Sequence, residues 1–213
     1  MQEKRLQKFK RVARYSQKTI TVILENIYDT HNVGAVMRTC DSIGIRQIYL
    51  VNTENSGINE LVTLGKRSSM GTRKWIDVSY FRHWDDCIKK VREMHQYIIG
   101  TYLGENTQSM YSCDFTQNVA IMLGNEKDGL STEAISHCDQ LLYIPQAGMA
   151  ESLNVSVAAA AILYEAYRQR MLKGYYSDKP ELSNAESEAL LQTFIDRSED
   201  KISDPRQYKI RPK

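Results

Sequence analysis

Residues 144–170, IPQAGMAESLNVSVAAAAILYEAYRQR, constrain the fold more than any other stretch of the chain. A short apolar run ends at Pro145, a loop of small and flexible residues follows, and from Ser152 the pattern is that of one long helix. The helix opens polar, with Ser152, Asn154 and Ser156, and is almost wholly apolar from Val157 to Leu163. A helix apolar on nearly every side belongs in a core or a subunit interface. Its amino end presents unpaired N–H groups and a partial positive charge, which suits a ligand. The segment therefore reads either as core anchor and binding site in one, or as a capped core helix behind a surface loop.

The chain before it alternates strand and helix. Residues 19–24 (TITVIL) are β-branched and apolar, a strand pattern. Asn32 is placed to cap a helix with Val36, Met37, Cys40 and Ile43 as its buried stripe and Gly44 at its end. Residues 45–51 form the next strand, which completes a β-α-β unit of the kind that builds parallel sheets. A long loop is expected over 52–73, a short strand over 75–81, and a helix over 83–95 buried through Trp84, Ile88, Val91 and Met94. Strands follow at 97–103 and 118–123, separated by a polar loop to Gln117, then a short helix at 131–137 and a last strand at 141–144. The pattern predicts an α/β fold with a mostly parallel sheet.

The two ends differ from this body. Residues 3–14 carry Leu6, Phe9, Val12 and Ala13 at helical spacing among lysines and arginines. Beyond Lys173 a turn-rich linker leads to Ser183 and Glu186, a capping box for a helix with Leu190, Leu191, Phe194 and Ile195 on its apolar stripe. The expected organisation is a basic helical extension over 1–18, a main domain over 19–172, and a helix with a basic tail over 173–213. Residues 1–18 hold seven Lys or Arg against Glu3, and residues 201–213 hold five against Asp204, so the body between them carries 16 basic and 24 acidic residues. Basic arms on an acidic body suit a phosphate backbone, although single basic termini often serve only solubility. Lys8, Arg11, Arg14, Lys66, Arg67, Arg73, Arg206, Lys209 and Arg211 are the candidate RNA contacts.

Other classes find little support. No apolar run approaches the length of a membrane span, and the first residues lack the apolar segment of a signal peptide. Cys40, Cys87, Cys113 and Cys138 form no CxxC pair, and His31, His83, His95 and His137 show no ligand spacing, so a cytoplasmic, metal-free protein with reduced thiols is expected. Ligands of open α/β sheets gather at the carboxyl ends of strands. Three such ends here, at 101–104, 124–129 and 145–154, carry glycine-bearing turns, and none is GxGxxG or GxxxxGK[ST]. They suggest a pocket built largely from backbone, without the usual nucleotide cradle.

Three stretches, NVGAVMRT (32–39), IMLGNEKDGLS (121–131) and IPQAGMAESLNVSVAAAAILYE (144–165), closely resemble the three motifs of the SPOUT RNA 2′-O-ribose methyltransferases. The resemblance spans residues 19 to about 170, and the short basic ends are most similar to the TrmH-type tRNA enzymes, which methylate a D-loop guanosine. It implies a trefoil knot near the carboxyl end of the domain, a homodimer with the helix after Asn154 in its interface, and S-adenosylmethionine as methyl donor. By that likeness Thr101, Leu103, Gly104, Gly124, Asn125, Ile144, Met149 and Leu153 contact the cofactor, largely through the backbone. Arg38 matches the family's motif-one arginine beside the reacting ribose, and Asn32, Glu126, Ser152 and Asn154 match residues that position it. A guanidinium is a poor base, so the resemblance implies phosphate binding and alkoxide stabilisation for Arg38 rather than proton abstraction. An rRNA substrate, another tRNA site, or a silent RNA-binding role are the alternatives.

Overall fold

The computed structural model describes residues 2–53 and 71–199. Seven strands form one sheet in the order β3-β2-β1-β6-β4-β7-β5, and every pairing is parallel. They are β1 (Ile20–Glu25), β2 (Gln47–Val51), β3 (Asp77–Phe81), β4 (Tyr97–Thr101), β5 (Gln108–Ser109), β6 (Val119–Leu123) and β7 (Gln140–Tyr143). The helices are α1 (Glu3–Arg14), α2 (Thr30–Ser42), α3 (Trp84–Arg92), α4 (Thr132–Ser136), α5 (Val155–Leu172) and α6 (Asn184–Glu199). A parallel sheet needs cover on both faces, which is why its strands read as continuous apolar runs. Central β1 is buried at all six positions. Its Ile20, Val22 and Leu24 join the core under α2 and α5, while Ile23 joins the one under α3 and α4. Strand alternation thus gives each residue of β1 a known side.

Several local expectations needed correction. Asn32 does not cap α2: Asp29 does, accepting from the backbone N–H of His31 at 2.8 Å, and Asn32 sits in the first turn. Gly44 follows that helix with φ 88°, and a Cβ there would meet the Tyr15 carbonyl oxygen at 2.8 Å. The helix expected from Ser152 begins at Val155, with the Asn154 side chain accepting from Ser156 N–H. Met94 lies beyond the end of α3 and is 50% exposed, and the residues that α3 buries are Trp84, Cys87 and Val91. The polar loop before Gln117 contains β5, a 3-10 turn at Met110–Ser112, and the buried side chains of Met110, Cys113 and Phe115. A two-residue strand is too short to show a period in sequence.

The helices from the two ends of the chain pack on each other. Phe9 of α1, Phe194 of α6 and Trp75 form a mutual aromatic cluster with ring centroids 5.3–5.9 Å apart. The Arg46 guanidinium lies 5.7 Å over Phe194, and Arg197 bonds Asp77 at 2.6 Å and the Lys74 carbonyl at 3.3 Å. The capping box at Ser183 and Glu186 is formed in both directions, at 2.8 and 3.2 Å. Among the described residues no helix is long and apolar enough to cross a membrane. The four cysteines are all free.

Candidate active site

Strand order decides which loops meet. β6, β4 and β7 are neighbours, so the turns leaving their carboxyl ends, near residues 102–107, 124–131 and 144–154, lie side by side. β1 is the other neighbour of β6, so the turn from β1 into α2 borders the same edge. All of these segments except 102–107 carry or lead into one of the three motifs.

The turn after β6 is held by its own backbone. A Cβ on Gly124 would lie 2.0 Å from the Gly129 carbonyl carbon and 2.3 Å from Leu130 N, so only glycine allows the chain to fold back here. The Asn125 side chain accepts from Lys127 N–H at 2.9 Å and Asp128 N–H at 2.7 Å, and its carbonyl accepts from Gly129 N–H at 3.1 Å. Gly124 and Asn125, expected to contact the cofactor, thus also build the turn that lifts Glu126 outward.

Side chains from all three motifs then join. Asn32 donates its amide N–H to the Glu126 carboxylate, and Asn154 donates to the Asn32 carbonyl oxygen at 3.2 Å. Asn154 Oδ1 is itself held by Ser156 N–H at 2.9 Å and Ser156 Oγ at 2.6 Å. The chain Ser156–Asn154–Asn32–Glu126 fixes both amide orientations, because each amide must donate toward the carboxylate end. Arg38 stands outside it. Arg38 is exposed on α2 and makes no hydrogen bond or ion pair with any described residue. Ser152 is likewise exposed, without a partner among the described residues.

The expected cofactor residues gather on this edge. Thr101 ends β4, and Leu103 and Gly104 follow in a turn where Tyr102 N–H bonds the Leu142 carbonyl at 2.9 Å. Leu103 is 59% exposed and Met149 fully exposed, while Ile144 and Leu153 are half-buried at either end of the last loop. Among the described residues, 145–153 make no backbone–backbone hydrogen bond. Apart from the Glu151 carbonyl, which accepts from Gln146 Nε2 at 3.4 Å, their N–H and C=O groups are therefore open to a ligand, which fits a cofactor recognised through backbone at three adjacent strand ends. Among the described residues no group of His, Cys, Asp and Glu is placed to share a metal ion.

Of the candidate RNA contacts, Lys8, Arg11 and Arg14 are exposed on α1, with Arg14 reaching Asn184 at 3.4 Å, and Arg73 lies in a 3-10 turn, Thr72–Lys74. Lys66, Arg67, Arg206, Lys209 and Arg211 fall outside the described residues.

The largest omission of the sequence reading lies at the opposite edge of the sheet. Arg170, fully buried near the end of α5, donates to the carbonyls of Phe115, Gln117 and Thr19 at 2.8–3.1 Å, to Gln17 Oε1 at 3.1 Å and Thr19 Oγ1 at 3.0 Å. It also pairs with Glu181 at 2.7 Å. Glu181 in turn accepts from Lys18 N–H at 2.7 Å and Thr19 N–H at 3.1 Å. Nothing in the run YEAYRQR marks one arginine as buried, since its acceptors come from distant segments. Glu25 and His95 were missed for the same reason.

The family model described as the SpoU rRNA Methylase family matches residues 19–164. A curated tRNA (guanosine(18)-2′-O)-methyltransferase of Aquifex aeolicus is 36% identical over 197 residues, covering 90% of this chain and 89% of that protein. The crystal structure of the A. aeolicus TrmH/SpoU tRNA modifying enzyme superposes with a TM-score of 0.78 at 33% identity, over 94% of this chain and 98% of that one. The SpoU methyltransferase AviRb of Streptomyces viridochromogenes, in complex with AdoMet, gives a TM-score of 0.64 at 28% identity, over 71% of this chain and 60% of that one.

Proposed function

The chain belongs to the SpoU methylase family, and from that membership we propose that it methylates a ribose 2′-hydroxyl of tRNA, at the D-loop guanosine numbered 18. The observation that carries the reading is the hydrogen-bonded chain Asn154–Asn32–Glu126, which joins the three motif segments at one edge of the sheet. When bound, S-adenosylmethionine supplies an activated methyl group, so the protein's task is orientation and the handling of one proton. Backbone groups of Thr101, Leu103, Gly104, Gly124, Asn125, Ile144, Met149 and Leu153 are the proposed cofactor contacts. The lack of backbone–backbone hydrogen bonds over 145–153, among the described residues, supports them. Arg38, without a partner among the described residues, is available to bind the phosphate beside the reacting ribose and offset charge on the 2′-oxygen. Phosphate or water then takes the proton. Asn32, Glu126 and Asn154 orient the ribose, with Ser152 at the mouth of α5.

The main domain is proposed to span 19–172, with α1 and the region after 173 as its extensions. The packing of α1 on α6 holds Lys8, Arg11 and Arg14 in a fixed exposed row, which suits a polyanion. A homodimer through α5 is supported by its apolar outer surface, where Val157 is 52% and Tyr164 53% exposed. A cytoplasmic location follows from a tRNA substrate.

Labelled S-adenosylmethionine, offered with total tRNA and separately with rRNA, tests the proposal once the modified nucleotide is mapped. Label on the ribose of the D-loop guanosine is expected; label in rRNA alone would keep the chemistry and overturn the substrate. Arg38→Ala should lower the rate at least about 100-fold with cofactor affinity unchanged, measured by calorimetry. An unchanged rate would remove Arg38 from the reaction.

A further inference from the structure

Glu25 ends β1 facing the layer of α3 and α4, where alternation along the strand puts it, and only 1% of it is exposed. Three donors meet its carboxylate: Trp84 Nε1 at 3.2 Å, Ser131 N–H at 2.8 Å and Ser131 Oγ at 2.5 Å. Among the described residues no lysine, arginine or histidine pairs with it. A buried carboxylate without a cation is costly, and is tolerated only where hydrogen bonds saturate it. Packing alone does not call for one here, since its neighbours along β1 are Ile23 and Leu24.

What Glu25 holds is the far end of the turn that carries Glu126. The near end is fixed by strand pairing, with Leu123 of β6 opposite Leu24 of β1. The far end is Ser131, whose hydroxyl accepts from Ala134 N–H at 3.1 Å and so starts α4 while donating to Glu25. Both ends of the turn are therefore referred to the last two residues of β1. The same strand leads in five residues to the start of α2 and in seven to Asn32. Asn32 and Glu126 meet across this common reference. A shift of Ser131 would move Gly124, Asn125 and Glu126 together, because the turn is closed by the Gly124–Gly129 approach and by the Asn125 side chain.

We propose that Glu25 is a positioning residue for methyl transfer, acting through Ser131 to set the turn that holds the cofactor and aims Glu126 at Asn32. This rests on the function proposed above. Glu25→Gln keeps size and shape but turns an amide N–H toward one of three donors, so Ser131 loses part of its anchor. The expected result is a cofactor Kd raised and a kcat lowered by at least about tenfold each, with the KM for tRNA within about twofold of wild type. Ser131→Thr retains both donors and should stay within about twofold in every parameter, while Ser131→Ala should move in the direction of Glu25→Gln. The double variant Glu25→Gln with Ser131→Ala should be no worse than Glu25→Gln alone, because both break one linkage.

Cofactor affinity and kcat within about twofold of wild type for Glu25→Gln would overturn the proposal, as would additive losses in the double variant. Should Glu25→Gln not fold, Ser131→Ala against Ser131→Thr decides by the same readouts. If the wild-type protein methylates neither tRNA nor rRNA, the proposed function fails, while calorimetry of cofactor binding in the variants still decides the role of Glu25.

Discussion

The two ends of α5 lie at opposite edges of one sheet, and both are polar. At the carboxyl edge, Asn154, Asn32 and Glu126 form an open hydrogen-bonded chain, Arg38 stands exposed on α2, and the loop before the helix makes no backbone–backbone hydrogen bond among the described residues. At the amino edge, Arg170 is fully buried, and its donors meet three carbonyls, two side-chain oxygens and a carboxylate. One edge spends its polar groups on the fold, whereas the other keeps them for a ligand. Polar groups saturated inside a low-dielectric core rigidify a structure, and open ones at a strand edge are where function costs least stability. Damage at the amino edge should therefore appear as unfolding, and damage at the carboxyl edge as lost activity.

Arg170→Ala should give the largest loss of stability, about 3–5 kcal/mol, read from the denaturant midpoint, because it strands the buried Glu181 carboxylate. Exchanging Arg170 and Glu181 together for Met and Leu sharpens the point. Many buried ion pairs can be replaced by apolar residues without loss. Here the carbonyls of Phe115, Gln117 and Thr19 would still lose their donor, so the double exchange should remain destabilised. A double variant as stable as wild type would mean that the pair, and not the carbonyl network, is what Arg170 serves.

His95 gives the next effect and makes the same edge sensitive to acid. It is 3% exposed, and its Nδ1 donates to Asn118 Oδ1 at 3.0 Å. Burial lowers its pKa from 6.5 to about 4, against the opposing pull of the Asn118 hydrogen bond. Between those values the unfolded chain binds a proton that the folded one does not. Stability should therefore fall as pH drops from about 6.5 to about 4, by up to about 3 kcal/mol from this group, and level off below. His95→Gln should remove that part of the pH dependence. Equal slopes in the two proteins would show that His95 titrates normally.

The same contrast explains how much was legible in the sequence. β1, β6 and the hydrophobic stripes of α2 and α6 announce themselves through local period, and so does the capping box at Ser183. The meeting of Asn32, Glu126 and Asn154 at the carboxyl edge was legible because these residues fall in three contiguous motifs, whose glycines and amides are unusual after a strand. Arg170, Glu181, Glu25 and His95 lie in stretches where a charged or polar residue reads as surface. Their burial depends on partners up to 163 residues away, as for Glu181 and Lys18. Asn32 shows the opposite error. Its type and position suit a helix cap, yet Asp29 takes that role and leaves the Asn32 amide free to face Glu126 and Asn154.

Asn154 should show the smallest effect on stability and so sets the edge of the comparison. It both caps α5, accepting from Ser156 N–H, and donates to Asn32. Asn154→Ala removes both contacts, and loss of the cap should cost about 1 kcal/mol. Asn154→Asp separates them: an aspartate caps as well as an asparagine, and its charge is favourable at a helix amino end, but it has no N–H for Asn32 and brings a second carboxylate toward Glu126. Unfolding midpoints for Asn154→Asp should match wild type within about 0.5 kcal/mol, while methyl transfer falls at least about tenfold. Stability lost in step with activity would mean that the carboxyl edge also carries the fold, and the division between the two ends of α5 would not hold. Intact activity would instead show that the Asn154–Asn32 hydrogen bond is dispensable, leaving Asn154 as a cap alone.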